Sequence, residues 1–542
     1  MTSPPTDMVD AARQEFVHRI PQGRERLLHV SSGEHGSAAA YLAFSPDTRC
    51  VQAAGGLPGP GEWEAIDAAR DGELFDAVAL DDVIDGTRDL TEAMTALFDR
   101  AAAGAVLTVS IRNSSHWSAI VARLRGEAVD GGHATRASVA KQIAAGGWSL
   151  VDSTPVPNRS EDAPLDVLES AARNLGISGE TARAELTAKA WVLRAVKGAV
   201  QPAVTIAALG LKKIAGVTDA RIDHPMRALA SQPFVRAAWG AGGVEIPGAW
   251  APGVLVLHRQ FMDSPGFIKA IESRIAKGWV IISEIDDDPH HWPQFVKSDF
   301  RAFRGVHAVT VTTEPLAQMI RQWNPHVEVL PNAVSYLPTA PQAVPKANDR
   351  VRVFFGALNR EKDGGEIVSS LSRAALELGE RVEFVVVHDR AFFESLPAGI
   401  RKSFSPTLAF DAYMALLASC DVALLPLQDT PFNRLKSDLK FIECCAAGAA
   451  PICSDTVYGR EPRHRDIGIF ADTPADWADA LRMLVEDPDE LTRRRAAGLS
   501  YVRQHRMHAQ QAAVRETLYR RLIADRPALE AERQARLAAT FG

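Results

Sequence analysis

The chain has no run of about 18 or more apolar residues, the length a membrane-crossing helix needs, so no segment is expected to span a bilayer. Its opening, MTSPPTDMVDAARQEF, lacks the basic and apolar regions of a secretory leader. Cysteine is scarce. Cys50, Cys420, Cys444, Cys445 and Cys453 are odd in number and have neither metal-type nor disulfide-type spacing. They read as small buried hydrophobes in a reducing compartment, and the protein is expected to be cytoplasmic. Charge of one sign is missing too: 60 Lys and Arg face 67 Asp and Glu, giving a net charge of −7 and a pI near 6.1. That balance argues against a nucleic-acid-binding surface, while a local basic cleft and a peripheral contact with a membrane stay open.

What remains is an ordinary globular composition, 46% hydrophobic and 23% charged, spread over 542 residues. That length suggests roughly three domains at 100–200 residues each.

The stretch Lys436–Asp455, KSDLKFIECCAAGAAPICSD, organises the rest. Leu439, Ile442, Cys445 and Ala446 recur at helical spacing and predict a helix over 437–447. Gly448 can take the left-handed conformation that ends a helix, Pro451 cannot continue one, and a short buried strand, PICS, follows. On the other face Lys436, Lys440 and Glu443 fall at i, i+4 and i+7. Two cations near a helix start suit a phosphate, and an acceptor-only carboxylate can take both hydroxyls of a ribose. The plainer alternative is a solvated face in which Lys440 and Glu443 form an exposed pair worth about 0.2–0.5 kcal/mol.

Upstream, ASCDVALLPL is a buried strand that leads through a polar loop into this helix. Together with FIECCAAGAAPICSD it resembles the nucleotide-sugar site of GT-B glycosyltransferases, in particular the retaining, glycogen-synthase-like group. The resemblance implies two Rossmann-like lobes around a donor cleft. It also implies a nucleotide-diphosphate sugar as co-substrate, with no tightly bound cofactor, and Glu443 as the ribose ligand. The family's motif has a further glutamate eight positions earlier, where this chain has Leu435.

VRVFFGALNREKDGGEIVSSL opens the donor lobe: a strand ends at Gly356, and a loop carrying Asn359, Arg360, Glu361 and Lys362 offers amides and cations to a diphosphate. The resemblance makes Arg360, Lys362, Lys436 and Lys440 the groups that neutralise the leaving diphosphate. Gly356, Asn359, Glu443 and His388, at the end of RVEFVVVHD, hold the nucleotide. The strands VLVLHRQ, WVIISEIDDD, AVTVTTE and VEVLPNAV resemble the acceptor-side lobe, with His258, Asp286 and Asp287 as candidates there. Asp286, Asp287, Asp288, His290 and His291 are the right ligand types for a metal. GT-B enzymes as a family need none, so the cluster reads as a polar acceptor rim and no metal is expected.

The first segment alternates RLLHVSS, RCVQAAG, FDAVALDDV, AVLTVSI and WSLVDSTPV with helical patterns, the order of a doubly wound α/β domain. FDAVALDDVIDGTRDL and AGAVLTVSIRNSSHWSAIVARLRG resemble strands of a class I methyltransferase. Only Gly33 and Gly36 survive from its glycine-rich loop, His29 stands where the family has an acid, and RCVQAAGG brings no carboxylate, so S-adenosylmethionine is not expected to bind.

The fold class expected is therefore α/β: a degenerate methyltransferase-like domain (1–157), a helical linker (158–215), an acceptor-side lobe (216–345), a nucleotide-sugar lobe (346–506) and C-terminal crossing helices (507–542). PTAPQAVPKAND, residues 338–349, reads as the hinge between lobes. The expected activity is hexosyl-type transfer, retaining in outcome, to a glycan, lipid-linked or protein acceptor in envelope polysaccharide synthesis. The alternatives are a bifunctional methyltransferase-glycosyltransferase and a non-enzymatic nucleotide-binding scaffold.

Overall fold

A computed structural model describes residues 11–33, 36–58, 63–87, 89–127, 134–157, 165–248, 250–338, 350–356 and 361–542. The chain divides into two compact units, Met1–Val204 with Ala230–Arg236, and Thr205–Leu229 with Ala237–Gly542. Three six-stranded sheets carry the architecture, one in the first unit and two in the second, apart from the strand-end residues Val204, Val235 and Arg236, which count with the first.

The first sheet holds β1 (Arg26–Ser31), β2 (Arg49–Ala54), β3 (Phe75–Asp81), β4 (Ala101–Arg112), β5 (Ser149–Pro157) and β6 (Ala188–Val196) in the order 2-1-3-4-6-5. β1 to β4 run parallel, and β6 is antiparallel to both its neighbours, β4 and β5. Leu28, Val30, Val78, Leu80, Leu107 and Val109 lie in one of its buried clusters.

β6 corrects the sequence reading. The sequence reading makes 158–215 a helical linker, with TARAELTAKAWVLRAVKGAV and VTIAALGLKKIAG read as helices by their apolar spacing. Helices form only at Leu165–Asn174 and Gly179–Thr187, and the chain then enters β6 and β7 (Val204–Gly210). Every residue of β6 except Lys189 is buried. A strand covered on both faces shows no alternation, so its apolar residues satisfy a helical template equally well, and its alanines bias the choice further.

The second sheet comprises β7, β8 (Val235–Ala241), β9 (Val254–His258), β10 (Val280–Ile285), β11 (Ala308–Val311) and β12 (Val327–Val329), ordered 12-11-10-9-7-8. It takes β7 from before residue 216, where the acceptor-side lobe was expected to begin. Its ladders from β7 through β12 are parallel. Phe295, Phe300, Phe303 and Trp323 form an aromatic core on one face, with Phe300 stacked on Trp323 at 3.8 Å.

The third sheet comprises β13 (Val351–Gly356), β14 (Val382–Val387), β15 (Lys402–Ser405), β16 (Val422–Leu425), β17 (Ala450–Cys453) and β18 (Ile469–Phe470). All its ladders are parallel, in the order 15-14-13-16-17-18, the doubly wound arrangement whose direction reverses between β13 and β16. Buried clusters cover both faces, which is why its strands read as continuous apolar runs. The last helices, His508–Ala524 and Arg526–Phe541, return to the second sheet's side of this unit. There Arg533 pairs with Glu272 at 2.8 Å and Arg536 donates to the Val306 carbonyl at 2.8 Å. Most of the expected hinge, 339–349, lies outside the described residues.

Candidate functional site

In an open parallel sheet, loops diverge at the carboxyl ends of the two strands where the winding reverses, and the crevice between them is where ligands sit. Here those strands are β13 and β16. β13 ends at Gly356, where a Cβ would meet the Phe354 ring at 2.7 Å and the Val387 Cβ at 3.2 Å, so only glycine fits. Asn359 and Arg360 lie outside the described residues, and Lys362 is exposed in the first turn of the helix Glu361–Leu378.

The neighbouring strand β14 delivers His388 in the left-handed region, φ 72°, a costly conformation for a residue with a Cβ. Its Nδ1 lies 2.7 Å from Thr407 Oγ1. Gly356, His388, Thr407, Tyr413 and Lys440 line one small cleft together with Gly216, from the loop after β7.

The organising helix spans Leu439–Ala446, ends through Gly448 at φ 76°, and leads into β17 as its sequence requires. Lys440 Nζ lies 2.8 Å from Glu443 Oε2 and 3.3 Å from the Tyr413 hydroxyl, which in turn donates to the Gly356 carbonyl at 3.2 Å. Burial works against the Lys440 charge, but Glu443 and Tyr413 outweigh it and raise its pKa, so the ammonium is held protonated. Burial raises the Tyr413 phenol. Glu443 is 1% exposed, and its other oxygen, Oε1, is buried without a hydrogen-bond partner. This geometry departs from a solvated face: the ion pair is present, but its carboxylate is inside the protein.

Lys436 precedes the helix and faces elsewhere. Its Nζ lies 3.6 Å from Asp287 Oδ2 and 4.5 Å above the Phe432 ring. The N-cap position belongs to Asp438, whose carboxylate turns to Arg506 at 2.8 Å. Lys436 and Lys440 thus have different partners, and the first helical turn is faced by a carboxylate as well as by cations.

In the second sheet, β9 ends at His258 and β10 leads into Asp286. Arg259 Nε donates to Asp286 Oδ1 at 2.7 Å, and His258 Nε2 is 3.3 Å from the same oxygen. Burial would raise this carboxyl, but Arg259 and His258 overcome it and hold Asp286 well below the usual carboxylate range. Asp287 goes the other way: burial raises it and Lys436 opposes the shift. Asp288 accepts from the His290 amide at 2.9 Å and caps a short turn. Each carboxylate of the EIDDD run has a protein partner, and among the described residues no group of three or more His, Cys, Asp or Glu is disposed to hold a metal ion.

The regions of the two sheets of this unit are stitched by part-buried polar contacts that the sequence reading missed. Thr313 Oγ1 donates to the Leu435 carbonyl at 3.0 Å, and Asn332 Nδ2 donates to Ser437 Oγ at 2.7 Å. Leu435, where the family's first glutamate would stand, is 8% exposed, its main chain fixed by Thr313. Within the second sheet the sequence did carry a signal for a buried pair: a glutamate inside the buried strand VIISEI needs a buried partner, and Glu284 has Arg221 at 3.1 Å. A larger cleft of about 540 Å³ beside the third sheet is lined by Asp363, Gln428, Asp455, Arg460 and Trp477, to none of which the sequence reading gave a role.

The carboxyl ends of β1 and β3 do not fit S-adenosylmethionine. The Asp81 carboxylate faces the start of the helix Ser37–Phe44, where a ligand's anionic group would sit. Ser37 Oγ donates to Asp81 Oδ2 at 2.7 Å and Ser110 Oγ to Oδ1 at 3.1 Å, while His29 Nε2 lies 3.0 Å from Ser37 Oγ. All but Ser110 are buried, and β2 ends in alanines that offer a ribose nothing.

No protein-family model and no curated protein matches the chain. Among solved structures it is similar over part of its length to Staphylococcus aureus TarM, crystallised with UDP (TM-score 0.37, 12% identity, 48% of this chain and 54% of that one). It is also similar to WaaG, a glycosyltransferase of lipopolysaccharide biosynthesis (TM-score 0.42, 12% identity, 57% and 99%). A third is the GtfA/B complex (TM-score 0.35, 14% identity, 50% and 57%). The chain thus spans about half of the TarM and GtfA/B chains. These likenesses are partial, and the functional reading rests on the chain's own residues.

Proposed function

We propose that this protein is a glycosyltransferase that moves a sugar from a nucleotide-diphosphate donor to a glycan, lipid-linked or protein acceptor. The observation that carries the reading is Glu443. A fully buried carboxylate with one oxygen paired to Lys440 and the other unpaired, at the reversal point of a doubly wound sheet, is costly unless a ligand hydroxyl completes it. The ribose of a nucleotide is such a ligand, and the Gly356–His388–Thr407 cleft beside Lys440 would take the rest of the nucleoside.

The chemistry follows from where charge develops. As the anomeric C–O bond breaks, the diphosphate gains negative charge and the sugar becomes oxocarbenium-like. Cations fixed beside the diphosphate stabilise this state by about 3–4 kcal/mol per well-placed donor. Lys440 is already held protonated, and Lys362 and Arg360 would complete the set. Asp286 is engaged by Arg259 and His258, which makes it a poor base and favours the same-face, retaining route that needs none. The first sheet, ordered 2-1-3-4-6-5 with one reversed strand, supports reading residues 1–157 as part of a methyltransferase-like domain that has lost its cofactor site. We place the reaction on the cytoplasmic side in envelope glycan synthesis.

A panel of nucleotide diphosphates and nucleotide sugars in thermal-shift and calorimetric titration tests the reading. Stabilisation by one nucleotide diphosphate and its sugar is the expected result. Stabilisation by none would leave a scaffold, and stabilisation by S-adenosylmethionine would revive the bifunctional alternative. Arg360→Ala is expected to lower donor turnover more than tenfold with an unchanged circular-dichroism spectrum.

A further inference from the structure

Around the buried face of the helix His508–Ala524, the described residues gather more buried positive charge than they neutralise. Arg515 lies on the buried face of the helix His508–Ala524, one and two turns from Ala512 and His508, and is 2% exposed. It has no carboxylate partner among the described residues, and its Nε and Nη2 are buried without hydrogen-bond partners.

Arg221 is 3% exposed. It spends Nε on Glu284 and Nη1 on the Leu330 carbonyl and Asn332 Oδ1, which leaves Nη2 buried and unpaired. His508 is 1% exposed with neither ring nitrogen partnered. These three side chains share one neighbourhood. The His508 amide donates to the Val334 carbonyl at 2.9 Å, on the same short segment that holds Arg221 through Leu330 and Asn332. Burial first, then Arg515, His224 and Arg221, push the His508 imidazole well below its usual range, so it is neutral and adds no counter-charge. The one carboxylate among them, Glu284, has its second oxygen taken by Thr310 at 3.0 Å. Two guanidiniums against one carboxylate leave one buried charge uncompensated, an arrangement that costs several kcal/mol unless a counter-ion supplies the balance.

We propose that Arg221, Arg515 and His508 form a structural site for a small monovalent anion of the halide class. One unit of charge is what the balance requires. The near-complete burial of all three side chains favours an ion without bulky substituents over a phosphate or a substrate carboxylate.

The test uses the full chain. Crystals grown in bromide are expected to show an anomalous peak within hydrogen-bonding distance of Arg515 and Arg221. In solution, replacing chloride with gluconate at fixed ionic strength is expected to lower the melting temperature by about 2–4 °C, saturably with chloride concentration. Arg515→Met, which keeps the length and removes the charge, is expected to abolish that dependence. Only ordered water at the position, or a halide dependence unchanged in Arg515→Met, overturns the proposal. Should the variant fail to fold, the bromide experiment on the wild type decides alone.

Discussion

Lys440 Nζ lies 2.8 Å from Glu443 Oε2, one helical turn away, yet the carboxylate is 1% exposed and its other oxygen meets no donor. An exposed i,i+3 pair contributes a few tenths of a kcal/mol and asks nothing of its surroundings. A buried one with a spare acceptor leaves a desolvated oxygen short of a hydrogen bond, which costs about 1–3 kcal/mol.

Glu443→Gln is the direct test. The amide keeps the size but accepts at one atom only, and charge-assisted hydrogen bonds contribute about 1.5–3 kcal/mol. Nucleotide-diphosphate affinity is expected to fall roughly tenfold to hundredfold by calorimetric titration. Equal affinities in wild type and variant would remove Glu443 from the donor site.

Chelation tests the EIDDD run. Asp286 is paired with Arg259, Asp287 lies 3.6 Å from Lys436, and Asp288 caps the turn at His290. Donor turnover is therefore expected to be unchanged in EDTA. Loss of activity that manganese restores would make these carboxylates metal ligands.

The parts of this molecule legible in the sequence are those where local signals and burial agree. Gly448, Pro451 and the PICS run delimit the organising helix and its strand, as the structure has them. The apolar runs 254–258, 280–285 and 308–311 are the parallel strands they resemble. Local pattern failed at Ala188–Val196 and Val204–Gly210, strands buried on both faces and recognisable only once the rest of each sheet is in place. Lys436 and Lys440 share a stripe in the sequence, but the first lies outside the helix and answers to Asp287 instead. Contacts such as Thr313 to Leu435 and Asn332 to Ser437 join residues more than a hundred positions apart, beyond the reach of any local pattern.

Acid should destabilise the fold through its buried histidines. Burial pushes His224 down to about 4, and His464 and His508 move the same way. A histidine whose folded pKa is depressed binds its proton more readily in the unfolded chain. Stability therefore falls as pH drops from about 6.5 toward 4 and is fully present above that window. Melting temperatures of wild type and His224→Leu measured between pH 8 and 4.5 are expected to diverge only below about 6.5, the variant falling less steeply. Parallel acid limbs would mean that His224 carries no such load.

In the first unit, Arg194 is 1% exposed and clasps a segment distant in sequence. Nη1 donates to the carbonyls of Ala230, Ser231 and Gln232 at 2.9–3.1 Å, and Nε donates to Asp152 at 3.0 Å. The segment 230–236 belongs to this unit although the chain on either side of it belongs to the other. Gln22 adds to the hold, its amide donating to Ser231 Oγ at 3.1 Å and its carbonyl accepting from Gln232 at 3.1 Å. Arg194→Met leaves three carbonyls short of a donor, a loss of about 1–3 kcal/mol for each acceptor left buried, while Asp152, 35% exposed, remains open to water. Because the loss falls on the clasp, amide hydrogen exchange is expected to accelerate at 230–236 and along β6 while the third sheet keeps its protection. Uniform acceleration across all three sheets would instead mean that the whole chain opens as one cooperative body, and unchanged exchange at 230–236 would mean that the Gln22 contacts hold the segment without Arg194.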